Sequence, residues 1–344
     1  MRQASRSLPH EFAWTFRDVH RAARGFAAQA LRGESSWLRR MTGRALIDKT
    51  PSEYPYIFLV SYGVINRLST RLAACIHLFQ TSTFVFDDIL DRATVRNHGP
   101  SIVARDGVSG ALIVGQLLQA IAMERFQALA RATAGRGDAA TAAFLSTVRT
   151  VYCGQYRDLR SVGRVTLSLR EYQHMVDQTT GAFLGNVAHA GAIMGGRSYA
   201  QVDHFREYAR AYGMALQASD DILDVTGTPA ETGKQRGMDL RARKPRLPFL
   251  MAMRSPNKGD RRALRAYMTA SRPRPRGFER SLRTLRAPSV IQRSTGKMDY
   301  WLGRAHARAS RVSDSASRHR LLWLLEALPR DQGVITRMEA SRRT

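Results

Sequence analysis

The pentapeptide Asp-Asp-Ile-Leu-Asp occurs twice in this chain, at 87–91 and again at 220–224. Any fold must accommodate both copies. On a helix, the first and last Asp of each pentapeptide lie four residues apart and project from one face, about one turn from each other. Like charges so placed repel and weaken the helix unless a cation sits between them. The chain has only 28 acidic residues against 54 basic ones, so gathering six carboxylates into two identical segments needs a chemical reason. Hard carboxylate oxygens around an open site suit Mg²⁺, which keeps waters and takes further ligands from a substrate phosphate. Two such clusters on facing helices would hold several Mg²⁺ ions over one diphosphate.

The remaining pattern is helical. Windows at 68–90, 109–134, 139–159, 169–194, 201–225 and 305–328 repeat apolar residues at i, i+3 and i+4, without sustained two-residue alternation. Breaks fall at Asn97-His98-Gly99-Pro100, at 135–137, at Gly195-Gly196, across 227–237 and across 272–277. The economical organisation is all-α: an N-terminal helix or extension over 1–45, one domain over 46–330, and a tail over 331–344. A hydrophobic content of 44% suits a packed core.

Several classes are disfavoured. Cys75 and Cys153 form no disulfide framework and no CxxC, which points to a reducing cytoplasm. No apolar run approaches the roughly 18 residues of a membrane span. Glu11, Asp18 and Glu34 interrupt an Arg-rich start that would otherwise resemble a transit peptide. The net charge of +26 invites a nucleic-acid reading. Against it, the basic residues are spread along the whole chain, without stacked aromatics or helix-turn-helix spacing. All but Lys49, Lys234, Lys244, Lys258 and Lys297 are Arg, which looks like a compositional habit. Attraction to anionic substrates, or weak association with an anionic membrane surface, fits better.

The second cluster extends downstream. Gln217 precedes it; Thr226-Gly227, Gly233-Lys234, Gly237-Met238-Asp239-Leu240, Lys244 and Leu247-Pro248 follow. A helix ending in carboxylates and continued by a glycine-punctuated loop bearing Lys can wrap a diphosphate, with metals on one side and an ammonium on the other. Taken alone, the same stretch reads as an ordinary loop with a solvated Lys234. With these residues assembled, the chain resembles the trans-isoprenyl diphosphate synthases, the polyprenyl synthetase family, from about residue 45 to 330. The likeness rests on the first Asp-rich motif with Arg96 and Gly99-Pro100, on Gly154-Gln155 with Asp158, on Tyr172 and Thr180-Gly181, and on the whole second block.

The resemblance implies the isoprenoid synthase fold, a large antiparallel helical bundle around a deep cavity, usually as a homodimer. It implies about three Mg²⁺ ions and loss of diphosphate from an allylic substrate, giving a carbocation that isopentenyl diphosphate attacks. Asp87, Asp91 and Asp220 become direct metal ligands, supported by Asp88, Asp221 and Asp224. Arg96 and Lys234 grip the departing diphosphate, with help from Thr180 and Gln217. No dedicated His is required, and His98 reads more simply as a loop residue. Ser82 and Thr83 occupy positions where the family sets chain length, and both are small. Phe79 is the next candidate floor, with plain core packing an equal reading.

The departures cluster. The family's Gly-Lys-Arg-x-Arg-Pro segment corresponds to Thr50-Pro51-Ser52-Glu53-Tyr54-Pro55, which has no basic residue. A family His is Gln80, the second Arg of a family pair is Asn97, and a family Lys is Thr179. Most of these losses fall on the isopentenyl diphosphate pocket. Charge-assisted contacts are worth about 1.5–3 kcal/mol each, so losing two or three weakens binding by orders of magnitude. The expectation is therefore a terpene synthase that ionises a C15 or C20 allylic diphosphate and cyclises it. Tyr54, Tyr56, Phe84 and Phe86 are candidates for cation–π support, with core packing the simpler alternative. An elongating, geranylgeranyl-type synthase with an anion site rebuilt from Arg39, Arg40 or Arg44 is one alternative, and prenyl transfer to a neutral acceptor another. An inactive partner subunit would be expected to lose its idle carboxylates, and both pentapeptides are intact.

Overall fold

The computed structural model describes residues 10–46, 59, 61–62, 64–96, 99–133, 135–229, 235–272 and 274–331. Among these the regular structure is helical apart from one pair of two-residue strands, as the periodicity predicts. The chain divides into two compact units, Met1–Ala143 with His189–Ser198, and Phe144–Ala188 with Tyr199–Thr344.

The first unit contains α1 (His10–Ala30), α2 (Ser36–Ala45), α3 (Arg67–Asp91) and α4 (Ile102–Arg131). A capping box starts α3: Ser69 N–H donates to Asn66 Oδ1, and Asn66 N–H donates back to Ser69 Oγ. The helix buries Leu72, Ile76 and Phe79 and packs along α4 and α1. It stops at Arg92, which takes a left-handed conformation with φ 52°. The chain then turns back through β1 (Val95–Arg96) and β2 (Gly99–Pro100), paired antiparallel. The first turn of α4 is set off by Gly107 at φ 75°, ψ 170°. That break explains why the helical pattern becomes legible only from residue 109.

One expectation needs correction here. No membrane-length apolar run was anticipated, yet α4 is long and apolar enough to cross a membrane: its 18-residue stretch has a mean hydropathy of 1.3 and is 39% buried. Its glycines and glutamines interrupt any unbroken apolar run, which hid the average. Ala111, Val114, Leu118 and Ala122 are buried as in a core helix, whereas Val108, Leu112 and Ile113 are 51%, 44% and 49% exposed.

The second unit takes in part of α5 (Gly137–Ser161), then α6 (Leu169–Val176), a π-helical turn (Asp177–Gly181), most of α7 (Ala182–Met194) and α8 (Tyr199–Thr226). It continues with α9 (Met238–Arg241), α10 (Leu247–Ala252), α11 (Lys258–Thr269), α12 (Pro275–Leu285), α13 (Pro288–Ala309) and α14 (Ser315–Asp331). Its spine is α8 lying along α13, with Phe205, Tyr208, Tyr212 and Ile222 of α8 buried. Two predicted windows differ from the structure. The 169–194 window is interrupted by the π-helical turn. The 305–328 window is two helices, because Asp314 Oδ2 accepts the Ser317 N–H at 2.6 Å and caps a new start. Ala305, Ala309, Val312 and Leu321 are all buried, so the apolar spacing runs on across the break and conceals it.

Candidate active site

In the first unit the acidic cluster occupies the last two turns of α3. Phe79, Thr83, Asp87 and Asp91 follow one another at four-residue steps and so share a stripe of the helix. Asp87 is half-buried and Asp91 exposed. Asp88 points elsewhere and is only 2% exposed. Arg96 Nε lies 2.8 Å from Asp88 Oδ1 and 2.9 Å from Oδ2, and its Nη2 lies 2.7 Å from Oδ1. The same guanidinium sits 4.8 Å from the centroid of the Phe84 ring. The turn after α3 therefore exists, in part, to deliver Arg96 onto a buried carboxylate and an aromatic face. Phe86 lies against α4, where a Cβ at Gly115 would come within 2.8 Å of its ring.

Phe79 and Ser82 are completely buried and Thr83 nearly so. Ser82 Oγ donates to Phe79 O at 2.6 Å, and Thr83 Oγ1 to Gln80 O at 2.8 Å. Both hydroxyls are satisfied by their own helix.

In the second unit Asp220 is exposed near the end of α8, and Asp221 beside it is 1% exposed. Asp221 Oδ2 accepts the Tyr172 hydroxyl at 2.6 Å and the Leu247 N–H at 3.0 Å; its Oδ1 accepts Gln217 Nε2 at 2.9 Å. Thr180 Oγ1 in turn donates to Gln217 Oε1 at 3.0 Å. Burial pushes the Asp221 carboxyl above the ordinary carboxylate range, with Arg246 pulling against it. Burial, then the Asp221 charge, pushes the Tyr172 phenol well up.

Asp224 has a different task. Its carboxylate accepts the N–H of Met238 at 3.0 Å and of Asp239 at 3.3 Å, while its carbonyl accepts the Gly237 N–H at 2.8 Å. It anchors the chain as it returns after 227–237. Beneath lies a buried ionic cluster: Asp158 meets Arg246 Nη1 at 2.6 Å and Lys244 Nζ at 3.1 Å, and Arg246 Nε reaches Asp239 Oδ1 at 3.3 Å. Burial alone would raise the Asp158 carboxyl, but Arg246 and Lys244 together hold it below its ordinary value.

The π-helical turn that carries Thr179 and Thr180 is flanked by glycines. A Cβ at Gly154 of α5 would lie 2.7 Å from Thr179 Cγ2, and one at Gly213 of α8 would lie 2.8 Å from Thr180 O. Thr179 Oγ1 donates back to Met175 O at 3.2 Å. At the position of the family lysine there is thus a short side chain folded onto its own helix. Arg39, Arg40 and Arg44 are exposed on α2. Lys234, Asn97, His98, Tyr54, Tyr56 and the 50–55 segment lie outside the described residues.

No group of three or more His, Cys, Asp or Glu that could hold a metal gathers among the described residues. The candidate donors Asp87, Asp91 and Asp220 are all hard oxygens, which fits Mg²⁺ or Ca²⁺ completing its shell with water and phosphate. Sequence reasoning missed Gly213, Asp239 and Arg246 as supporting residues. The glycines left a signal, since small residues inside apolar helical windows mark close approaches; Arg246 left none.

A family model described as polyprenyl synthetase matches residues 55–281. This chain belongs to the polyprenyl synthetase family. A nonaprenyl diphosphate synthase from Mycobacterium tuberculosis is 27% identical over 257 residues, covering 75% of this chain and 74% of that one. Relatives named as geranylgeranyl and farnesyl diphosphate synthases match over about half their own length, 53% and 48%. The crystal structure of a heptaprenyl diphosphate synthase from Staphylococcus aureus superposes with a TM-score of 0.81 at 20% identity, covering 91% of this chain and 97% of that one. A polyprenyl synthase from Caulobacter crescentus, complexed with calcium and isoprenyl diphosphate, gives 0.74 at 20% identity, covering 92% and 93%. The polyprenyl synthetase chain therefore has the isoprenoid synthase fold and is an enzyme of the prenyl diphosphate synthase family. The relatives named here are chain-elongating synthases, and they lend the cyclase expectation no support.

Proposed function

We propose that this chain is a Mg²⁺-dependent prenyl diphosphate synthase that extends a C15 or C20 allylic diphosphate with isopentenyl diphosphate. The observation that carries the reading is the division of labour within the two pentapeptides. Asp88, Asp221 and Asp224 are engaged by Arg96, Tyr172 and the Met238–Asp239 backbone, which leaves Asp87, Asp91 and Asp220 as the outward-facing carboxylates. The names of the relatives favour elongation over cyclisation.

Mg²⁺, about three ions by family resemblance, would neutralise the diphosphate as it leaves. Asp87, Asp91 and Asp220 would hold it. Arg96, oriented by Asp88 and Phe84, faces the same leaving group, and Thr180 with Gln217 supplies neutral hydrogen bonds to it. The isopentenyl diphosphate site is then rebuilt, with the exposed Arg39, Arg40 and Arg44 of α2 as its basic candidates. Substitution of Asp87 by Ala is expected to abolish turnover while leaving the helical circular dichroism unchanged.

Cyclisation remains the second reading, favoured by Thr179, Gln80 and the uncharged 50–55 segment. Purified protein with Mg²⁺ and farnesyl or geranylgeranyl diphosphate separates the two by mass spectrometry. Longer diphosphates that form only with isopentenyl diphosphate support elongation. Hydrocarbon or alcohol from the allylic substrate alone would overturn it in favour of a terpene synthase. Silence in both would shift the reading to a neutral acceptor or a partner subunit.

We further propose a homodimer in the cytoplasm. The Val108, Leu112 and Ile113 stripe of α4 is apolar and exposed and suits a second copy of the chain.

A further inference from the structure

The π-helical turn Asp177–Gly181 is an unfavourable place for a chain to rest, and such turns recur where a helix serves a site. Here it also buries Gln178 Oε1 with no hydrogen-bond partner among the described residues. Something outside the turn has to hold it. Asp177, its first residue, is gripped by Arg210 of α8 through a parallel fork, Nε to Oδ1 at 2.6 Å and Nη2 to Oδ2 at 2.7 Å. Glu207, one turn earlier on α8, approaches the same guanidinium only to 3.7 Å.

On α8 the residues Arg210, Gly213, Gln217 and Asp221 follow at three- and four-residue steps and form one stripe. The turn lies along that stripe. Asp177 meets Arg210, Thr180 O and Gly181 Cα crowd Gly213, and the Thr180 hydroxyl meets Gln217, which itself meets Asp221. We infer that Arg210 is a positioning residue: its fork to Asp177 sets the register of the π-helical turn on α8, and thereby the aim of Thr180 and Gln217 at the substrate diphosphate. This rests on the proposed function for the identity of the ligand, but not for the geometry.

Inorganic pyrophosphate with Mg²⁺, titrated calorimetrically, tests the aim without requiring turnover. Arg210→Met keeps the length and loses the fork; Arg210→Lys keeps the charge but offers one point donor in place of two. Pyrophosphate affinity is expected to fall about tenfold to a hundredfold in Arg210→Met, the scale of a small misplacement of binding groups, and by less in Arg210→Lys. KM for the allylic diphosphate should rise in step. The amides of 177–181 should exchange faster in both variants, and the exchanged pair Asp177→Arg/Arg210→Asp should recover part of the affinity. Glu207→Gln should bind like wild type. Unchanged affinity in both Arg210 variants overturns the inference, as does a loss of affinity with unaltered exchange at 177–181. A wild-type protein that binds pyrophosphate yet converts no allylic diphosphate would count against the proposed function alone.

Discussion

Buried carboxylates do most of the work that holds this chain's candidate site together, and each does so through different partners. Asp158 is the most heavily committed, facing both Arg246 and Lys244 with almost no exposure. Asp158→Asn leaves two buried cations short of their counter-charge, so unfolding free energy is expected to fall by about 3–5 kcal/mol in denaturant titrations. The pH dependence has a definite sign. Arg246 and Lys244 outweigh burial and hold the folded-state pKa of Asp158 below its ordinary value. Its stabilisation is therefore fully present above an unfolded pKa of about 3.9 and is lost as pH falls through the lower folded value. The stability gap between wild type and Asp158→Asn should narrow steadily as pH is taken from about 5 towards about 3. Tyr172→Phe, which removes one donor from Asp221, should cost about 1–3 kcal/mol.

At the level of helices and turns, two devices control how the site is presented. The capping box at the start of α6 holds the Glu171 carboxyl down to about 2, chiefly through the Ser168 N–H and then its hydroxyl and Arg164. Its contribution is present above the ordinary value of about 4.3 and disappears as pH falls towards 2. Glu171→Gln should thus be less stable than wild type at pH 6 and indistinguishable from it at pH 2. The π-helical turn needs Gly154, so Gly154→Ala is expected to reduce turnover far more than it lowers the melting temperature. Such features divide what could be read in the chain from what could not. The twin pentapeptides, the α3 and α8 helices and the all-α class were legible, because local periodicity and charge repulsion act over a few residues. The π-helical turn was not, since one extra residue per turn barely disturbs a 3.6-residue pattern averaged over 169–194. The contacts of Tyr172 with Asp221 and of Asp158 with Arg246 join residues far apart in sequence, and no local spacing reports them.

For the molecule as a whole, the exposed apolar stripe on α4 makes an oligomeric prediction. Light scattering should give about twice 38.5 kDa for the wild type, and Leu112→Arg should move the mass towards the monomer. A monomeric wild type would remove that stripe as an interface. The inner positions of the pentapeptides carry a different consequence, for the lineage. Asp88 neutralises a buried arginine, Asp221 anchors a tyrosine, and Asp224 ties down a returning strand of chain. A descendant that abandoned chemistry would still be under pressure to keep all three, so a surviving acidic signature is weaker testimony to activity than it looks. Drift in idle copies should first erase Asp87, Asp91 and Asp220, and a survey of sister genes could date the loss of catalysis from those three positions alone.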